Sequence, residues 1–136
     1  MSSCIFCDIV EKKLPAHTVY EDAHYIAFLD IRPTSPGHTV LIPKKHAVDI
    51  LHDTPQTQKE LLVIAAKLAP AIMKGMGASA FNLRMNVGGD AGQIIFHTHL
   101  HIIPRKKGES LWTENAMPHA TKELDQVARK IRQANE

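Results

Sequence analysis

Residues 96–104 read Phe96-His97-Thr98-His99-Leu100-His101-Ile102-Ile103-Pro104. β-branched and apolar residues surround an every-other-residue histidine, which predicts a strand running from Ile94 to Pro104. Side chains alternate faces along a strand, so His97, His99 and His101 share one face while Thr98, Leu100 and Ile102 take the other. Same-face neighbours stand roughly 6.5–7 Å apart at a rise of ~3.3 Å per residue. Near neutral pH an imidazole serves as nucleophile, acid, base or metal ligand. Three of them in five residues argue against a merely solvated polar row. A three-histidine metal site stays open, provided that the rings converge on one ion or a fourth group joins them.

The neighbouring segments give the frame for that strand. Cys4 to Lys12 reads as a turn or short helix ended by Leu14-Pro15. Val19–Glu21 and Tyr25–Asp30 read as short strands, and Arg32 to Gly37, with two Pro and a Gly, as a loop. Thr39-Val40-Leu41-Ile42 is a strand closed by Pro43. Asp53-Thr54-Pro55-Gln56 starts a helix, with Asp53 as the cap and Pro55 in the first turn. Leu61, Leu62, Ile64, Ala65, Leu68 and Ile72 form its buried side to about Lys74. Pro70 is expected to kink it or remove a hydrogen bond, and Gly75 and Gly77 to end it. Phe81–Val87 reads as a strand, Gly88–Gly92 as a Gly-rich loop. Leu124, Val127, Ala128 and Ile131 recur at helical spacing, predicting a C-terminal helix. Strands with short connections outnumber helices, so the expected class is α+β: an antiparallel sheet with helices on one face.

The chain has 136 residues, enough for one domain spanning 1–136 and hardly for two. No stretch is apolar for long enough to cross a bilayer, and residues 1–13 lack the pattern of a signal peptide. With two cysteines and no export signal, a cytoplasmic setting is expected. A net charge of +2 and 5% aromatic residues argue against nucleic acid as a partner. His17, His24, His52 and His119 have no motif around them and read as surface or turn residues.

Residues 97–103 resemble the His-x-His-x-His-x-x motif of the histidine triad (HIT) family, where x is apolar; Thr98 is the one departure. Phe28-Leu29-Asp30-Ile31, Pro36-Gly37-His38, Leu41 to His46, and Asn86 followed by Gly92-Gln93 are also similar to family segments and stand in the same order. The resemblance covers Cys4 to about Arg105; residues 108–136 carry none of it. It implies a HIT-like sheet of about five strands with a long helix on one face and a C-terminal helix. It implies a nucleotide phosphoramidase or nucleotidyl hydrolase, working through a covalent histidine intermediate at the α-phosphate of a purine nucleoside monophosphate derivative. His99 would be the nucleophile, with His38 and His101 as flanking imidazoles that hydrogen-bond the phosphate or organise the site. His97 or His101 would protonate the leaving group. Asn86, Gln93 and the backbone at Gly92 would donate to phosphate oxygens.

By the same resemblance Asp30 accepts the ribose hydroxyls, with Ile31 beside it, although an Asp before a Pro-rich turn is common on its own. Phe6, Ile9 and Phe28, with Ile5, would hold the base; as a stripe they are equally good as core. Cys4-Ile5-Phe6-Cys7 alone is compatible with zinc, a redox dithiol or chance. The zinc-bearing, Hint-like branch uses residues matching Cys4, Cys7, His46 and His97, which implies a structural Zn²⁺ with no cofactor in the chemistry. The resemblance further implies a homodimer through the long helix and a central strand. Trp112 and Met117-Pro118 are placed over the site or over a partner subunit. Rival readings are a dinucleoside polyphosphate hydrolase and a nucleotide-binding interaction protein with incidental hydrolysis.

Overall fold

The computed structural model describes residues 4–109 and 121–135. Trp112, Met117-Pro118 and His119 lie outside them. Eight principal elements follow one another: α1 (Ile5–Val10), β1 (Thr18–Glu21), β2 (Tyr25–Leu29), β3 (Thr39–Pro43), α2 (Pro55–Met76), β4 (Ala80–Arg84), β5 (Leu100–Arg105) and α3 (Thr121–Ala134). The five strands form one antiparallel sheet in the order β1-β2-β3-β5-β4. The class is α+β, as expected.

Every residue of β2 and β3 is buried, because the sheet is covered on both faces. On one face Leu29, Leu41, Leu100 and Ile102 pack against Leu61, Leu68 and Ile72 of α2 and Leu124, Ala128 and Ile131 of α3. On the other, Ile26, Phe28, Val40 and Ile42 pack against Phe6 and Ile9 of α1. Leu68, Ile72 and Ile102 are fully buried, so truncating any of them to Ala costs about 2–5 kcal/mol. Val40 stands opposite both Phe28 and His101. Directly opposed residues share a face, so His101 projects on the α1 side, away from the long helix.

Helix α2 ends at Gly77 as expected and differs from expectation at its cap, in running through Gly75, and at Leu62, which is exposed rather than buried. Its N-cap is Thr54, whose hydroxyl accepts the Thr57 N–H at 3.2 Å, with Pro55 in the first turn. Asp53 does not cap; its carboxylate goes elsewhere, as shown below. The helix passes through Pro70 and Gly75 and stops at Gly77, whose φ of 66° is the left-handed cap that favours glycine. Gly75 serves packing instead of ending the helix: a Cβ there would stand 3.2 Å from the Ile131 backbone nitrogen of α3.

The other correction concerns β5, which begins at Leu100 rather than Ile94. Pro43 ends β3, and only Thr39–Leu41 pair with β5. Beyond that point residues 97–99 form no ladder with Ile42 and Pro43, although β3 runs on to Pro43. Thr98 N–H donates to Ala47 C=O at 2.9 Å. β4 likewise ends at Arg84 rather than Val87.

Candidate active site and metal cluster

Although His97 and His99 precede the strand proper, the three triad rings stay on the α1 side. Phe6 meets both His97 and His99 edge-on, with centroids 5.9 and 5.2 Å away, and His99 lies 5.1 Å from His101. All three are largely or fully buried. Burial depresses each of their pKa values, His101 to about 3, because a charged imidazole is poorly solvated there. The rings are therefore neutral at pH 7, and each neutral ring carries one N–H. Fixed backbone groups decide which nitrogen holds it.

His99 Nδ1 sits 2.7 Å from the His97 carbonyl oxygen. A carbonyl only accepts, so Nδ1 carries the proton and Nε2 presents a lone pair. His97 Nε2 donates to Pro43 C=O at 2.8 Å, which leaves its Nδ1 bare. For His38 the logic runs from a donor. Thr34 N–H points at His38 Nδ1 at 3.1 Å, so the proton of His38 is on Nε2. That Nε2–H donates to His101 Nδ1 at 2.8 Å, which puts the proton of His101 on its own Nε2. His38 is 2% exposed, and burial lowers its pKa to about 4. The chain Thr34–His38–His101 thus leaves a neutral N–H on a ring whose centroid lies 5.1 Å from that of His99.

His97 is separated from that chemistry. Its bare Nδ1 faces Cys4 Sγ at 3.4 Å, Cys7 Sγ at 3.6 Å and His46 Nδ1 at 3.2 Å, and Cys7 Sγ lies 3.4 Å from His46 Nδ1. With both ring nitrogens engaged, His97 has none for a leaving group. The other expected donor, His101, carries its proton on Nε2. The four side chains also pass a metric test. Zinc–nitrogen bonds of ~2.0–2.1 Å and zinc–sulfur bonds of ~2.3 Å at tetrahedral angles need N···N near ~3.3 Å and N···S near ~3.6 Å. The observed separations fall within about 0.2 Å of these. Cys4, Cys7, His46 and His97 suit a closed tetrahedral zinc site.

Next to the triad, across Phe6, is a slot of about 320 Å³ whose lining includes Ile5, Phe6, Ile9, Phe28, Asp30 and Ile31. Asp30 Oδ1 accepts the Arg32 N–H at 2.8 Å in a local turn, and Oδ2 lies 3.7 Å from His38 Nε2. The carboxylate therefore serves the turn and borders the slot at once. His17 also lines the slot, and its Nδ1 lies 2.8 Å from Asp125 Oδ1 of α3. It is no ordinary surface residue; His24 and His52 are exposed.

Gln93 was expected to face a phosphate. Instead it is buried, its Nε2 donating to Val48 C=O at 2.7 Å and Ile95 C=O at 3.0 Å, and its Oε1 accepting the Gly88 N–H at 2.8 Å. Both amide protons are spent on backbone. The Gly92 N–H bonds Gly89 C=O at 3.0 Å, while Asn86 Nδ2 makes only a long 3.4 Å contact to Gly92 C=O. Of the three expected donors, Asn86 keeps the most capacity. Thr34, Ala47 and Asp53, each of which orients the site through hydrogen bonds, carried no readable signal. Thr98 did, as the polar member of an apolar set.

The chain belongs to the histidine triad family: the HIT domain model matches residues 11–108. It is 36% identical over 130 residues to the adenylylsulfatase HINT3 of Arabidopsis thaliana, covering 96% of this chain and 66% of that protein. A Zn-bound histidine triad family protein from Mycobacterium smegmatis superposes with a TM-score of 0.87 at 35% identity, covering 98% and 93% of the two chains. A hypothetical histidine triad nucleotide-binding protein from Sulfolobus tokodaii gives a TM-score of 0.89 at 33% identity, covering 97% and 91%.

Proposed function

We propose that this chain is a nucleotidyl hydrolase that acts at the α-phosphorus of a purine nucleoside monophosphate derivative, with His99 as nucleophile. The observation that carries the reading is the 2.7 Å bond from His99 Nδ1 to the His97 carbonyl. It holds Nε2 deprotonated beside a slot of nucleoside size. The base lies between Phe6, Ile9 and Phe28. The ribose hydroxyls meet Asp30, with Ile31 at the rim. His99 Nε2 attacks phosphorus and the bond to the leaving group breaks, with the leaving atom taking a proton. Water then attacks the nucleotidyl-histidine, releasing the nucleoside monophosphate and restoring His99. One hard displacement becomes two easier ones. His101 Nε2–H, oriented by His38, hydrogen-bonds the phosphoryl oxygens or the leaving atom as charge builds. Asn86 is the remaining side-chain donor, while Gln93 and Gly92 hold the loop.

Zinc in the Cys4–Cys7–His46–His97 cluster would be structural, supplying folding energy by tying the short α1 to the sheet. The Zn-bound mycobacterial neighbour supports this reading. Two thiolates held for a metal suit a reducing, cytoplasmic compartment. A homodimer is also part of the proposal. The strand proposed for the interface is β4, an edge strand of this sheet rather than the central strand expected, with exposed Phe81 and Leu83, and α2 exposes Leu62 and Val63. A second copy covering both would remove an open sheet edge. Among the described residues, no helix is long and apolar enough to cross a membrane.

A competition assay tests the substrate class. Adenosine 5′-phosphoramidate, adenosine 5′-phosphosulfate and a diadenosine polyphosphate are supplied together, and all three consumption rates are followed. The phosphoramidate should be consumed fastest, and His99→Ala should abolish all three activities. The adenylylsulfatase relative makes the phosphosulfate anhydride the strongest rival substrate. Binding without turnover of any of them would leave only the interaction-protein reading standing.

A further inference from the structure

We infer that Thr98 and Asp53 are positioning residues for His99, acting through the peptide unit that joins His97 to Thr98. The inference rests on the reading of His99 as nucleophile. That one peptide plane carries both the His97 carbonyl and the Thr98 N–H, which point in opposite directions across a trans bond. The carbonyl accepts His99 Nδ1–H at 2.7 Å, and the N–H donates to Ala47 C=O at 2.9 Å. The plane is pinned from both sides. It needs to be, because residues 97–99 precede β5 and have no sheet ladder to set their tilt.

The side chain of Thr98 supplies the third anchor. It is 1% exposed, and its hydroxyl donates to Asp53 Oδ2 at 2.6 Å. Such a short bond to a carboxylate is of the strong, charge-assisted kind. Asp53 is itself fixed: it follows the turn Ile50–His52, directly precedes the Thr54 cap of α2, and its carbonyl accepts from Gln58 Nε2 at 3.3 Å. The 22-residue α2 thereby becomes the reference frame for a short irregular segment. A hydroxyl at a position where the motif otherwise has an apolar residue is costly when buried without a partner. Here it has one, placed where it restrains the nucleophile.

The consequence is chemical. Tilting the His97–Thr98 plane takes the acceptor away from His99 Nδ1–H. The proton is then free to sit on Nε2, and a protonated Nε2 has no lone pair for phosphorus. Both the aim of the ring and its tautomer depend on a residue that touches neither substrate nor imidazole.

The test uses the full-length protein and the variants Thr98→Val, Asp53→Ala, the double variant and Thr98→Ser. Turnover of adenosine 5′-phosphoramidate is measured, and the His99 tautomer is read from imidazole ¹⁵N shifts. Zinc content and melting temperature report on folding. Each single variant should lower kcat by about 10- to 100-fold, the scale on which small misplacements cost catalysis, while KM stays within about threefold. The double variant should be no worse than the poorer single one, since both remove the same bond. Thr98→Ser should recover kcat to within about threefold, and the Nδ1–H tautomer should fall in both single variants. Wild-type kcat in Thr98→Val and Asp53→Ala would overturn the inference. So would an unchanged tautomer in both, or fully additive losses. If Thr98→Val does not fold, Asp53→Ala, at a less buried position, decides the question. A wild type that turns over no nucleotide defeats the proposed function instead, and the tautomer measurement still decides this inference.

Discussion

Replacing Gln93 should weaken the fold rather than merely weaken a phosphate contact. Gln93→Ala deletes three hydrogen bonds at once, to Gly88 N–H, Val48 C=O and Ile95 C=O. Each is worth about 0.5–1.5 kcal/mol net, and a buried backbone group left without a partner costs about 1–3 kcal/mol. Water can enter and re-satisfy part of the vacated space, which brings the expected loss to about 2–4 kcal/mol. For a domain of this size that corresponds to a fall in melting temperature of roughly 6–16 °C. Gln93→Glu should be at least as harmful, because it aims a carboxylate at two carbonyl oxygens. Urea unfolding followed by circular dichroism gives the number directly. If both variants match wild-type stability within about 0.5 kcal/mol while losing activity, the amide faces the substrate in solution and the loop-holding role is wrong.

Acid should destabilise the protein in a defined window. His38 is neutral and buried, with its pKa lowered to about 4, whereas an unfolded histidine titrates near ~6.5. Above pH 6.5 neither state takes up a proton there and the group contributes no pH dependence. As pH falls from 6.5 toward 4 the unfolded chain alone is protonated, so stability declines, by about 3 kcal/mol from His38. Urea midpoints between pH 7 and 4.5 should show this decline, with a shallower slope in His38→Gln; equal slopes would refute it. Removing zinc with a strong chelator should lower the melting temperature and release about one ion per chain; a metal-free protein of unchanged stability would contradict the cluster reading. Asp30→Asn should raise KM for a ribonucleotide more than for its 2′,3′-dideoxy analogue. Equal effects on the two would show that the carboxylate serves only its local turn.

The parts of this fold written in local chemistry were legible beforehand. The apolar spacing of α2, with a Pro early in the first turn and Gly77 at its end, describes the helix that exists. Thr39 to Ile42 and the C-terminal stripe of Leu124, Ala128 and Ile131 are read as easily. Asp53 was not, because Asp and Thr are both good caps and only the tertiary partner, Thr98, decides which one caps. The start of β5 failed for a related reason. Alternation persists through His97 and His99, but a strand needs a bonded neighbour: pairing with β3 stops at Leu41, Pro43 has no N–H to donate, and Thr98 N–H turns to Ala47 C=O instead. Within the site, residue types named side chains that the structure brings together, and said little about how those side chains bond to one another. His97 and His101 are equivalent in sequence. Pro43 C=O and the cysteines claim one ring, and the Thr34–His38 chain orients the other. Gln93 looked like a phosphate donor because its backbone partners, 45 and two residues away for Val48 and Ile95, leave no trace in the pattern.

Chemical quench of a single turnover is the sharpest probe of the central claim. Adenosine 5′-phosphoramidate labelled at phosphorus is mixed with excess enzyme, stopped within milliseconds, and the labelled peptide is mapped. An acid-labile nucleotidyl adduct on His99, formed and lost at rates compatible with turnover and absent from His99→Ala, is the predicted result. Turnover without any adduct, or an adduct carried by another residue, would contradict a lone pair held ready on His99 Nε2.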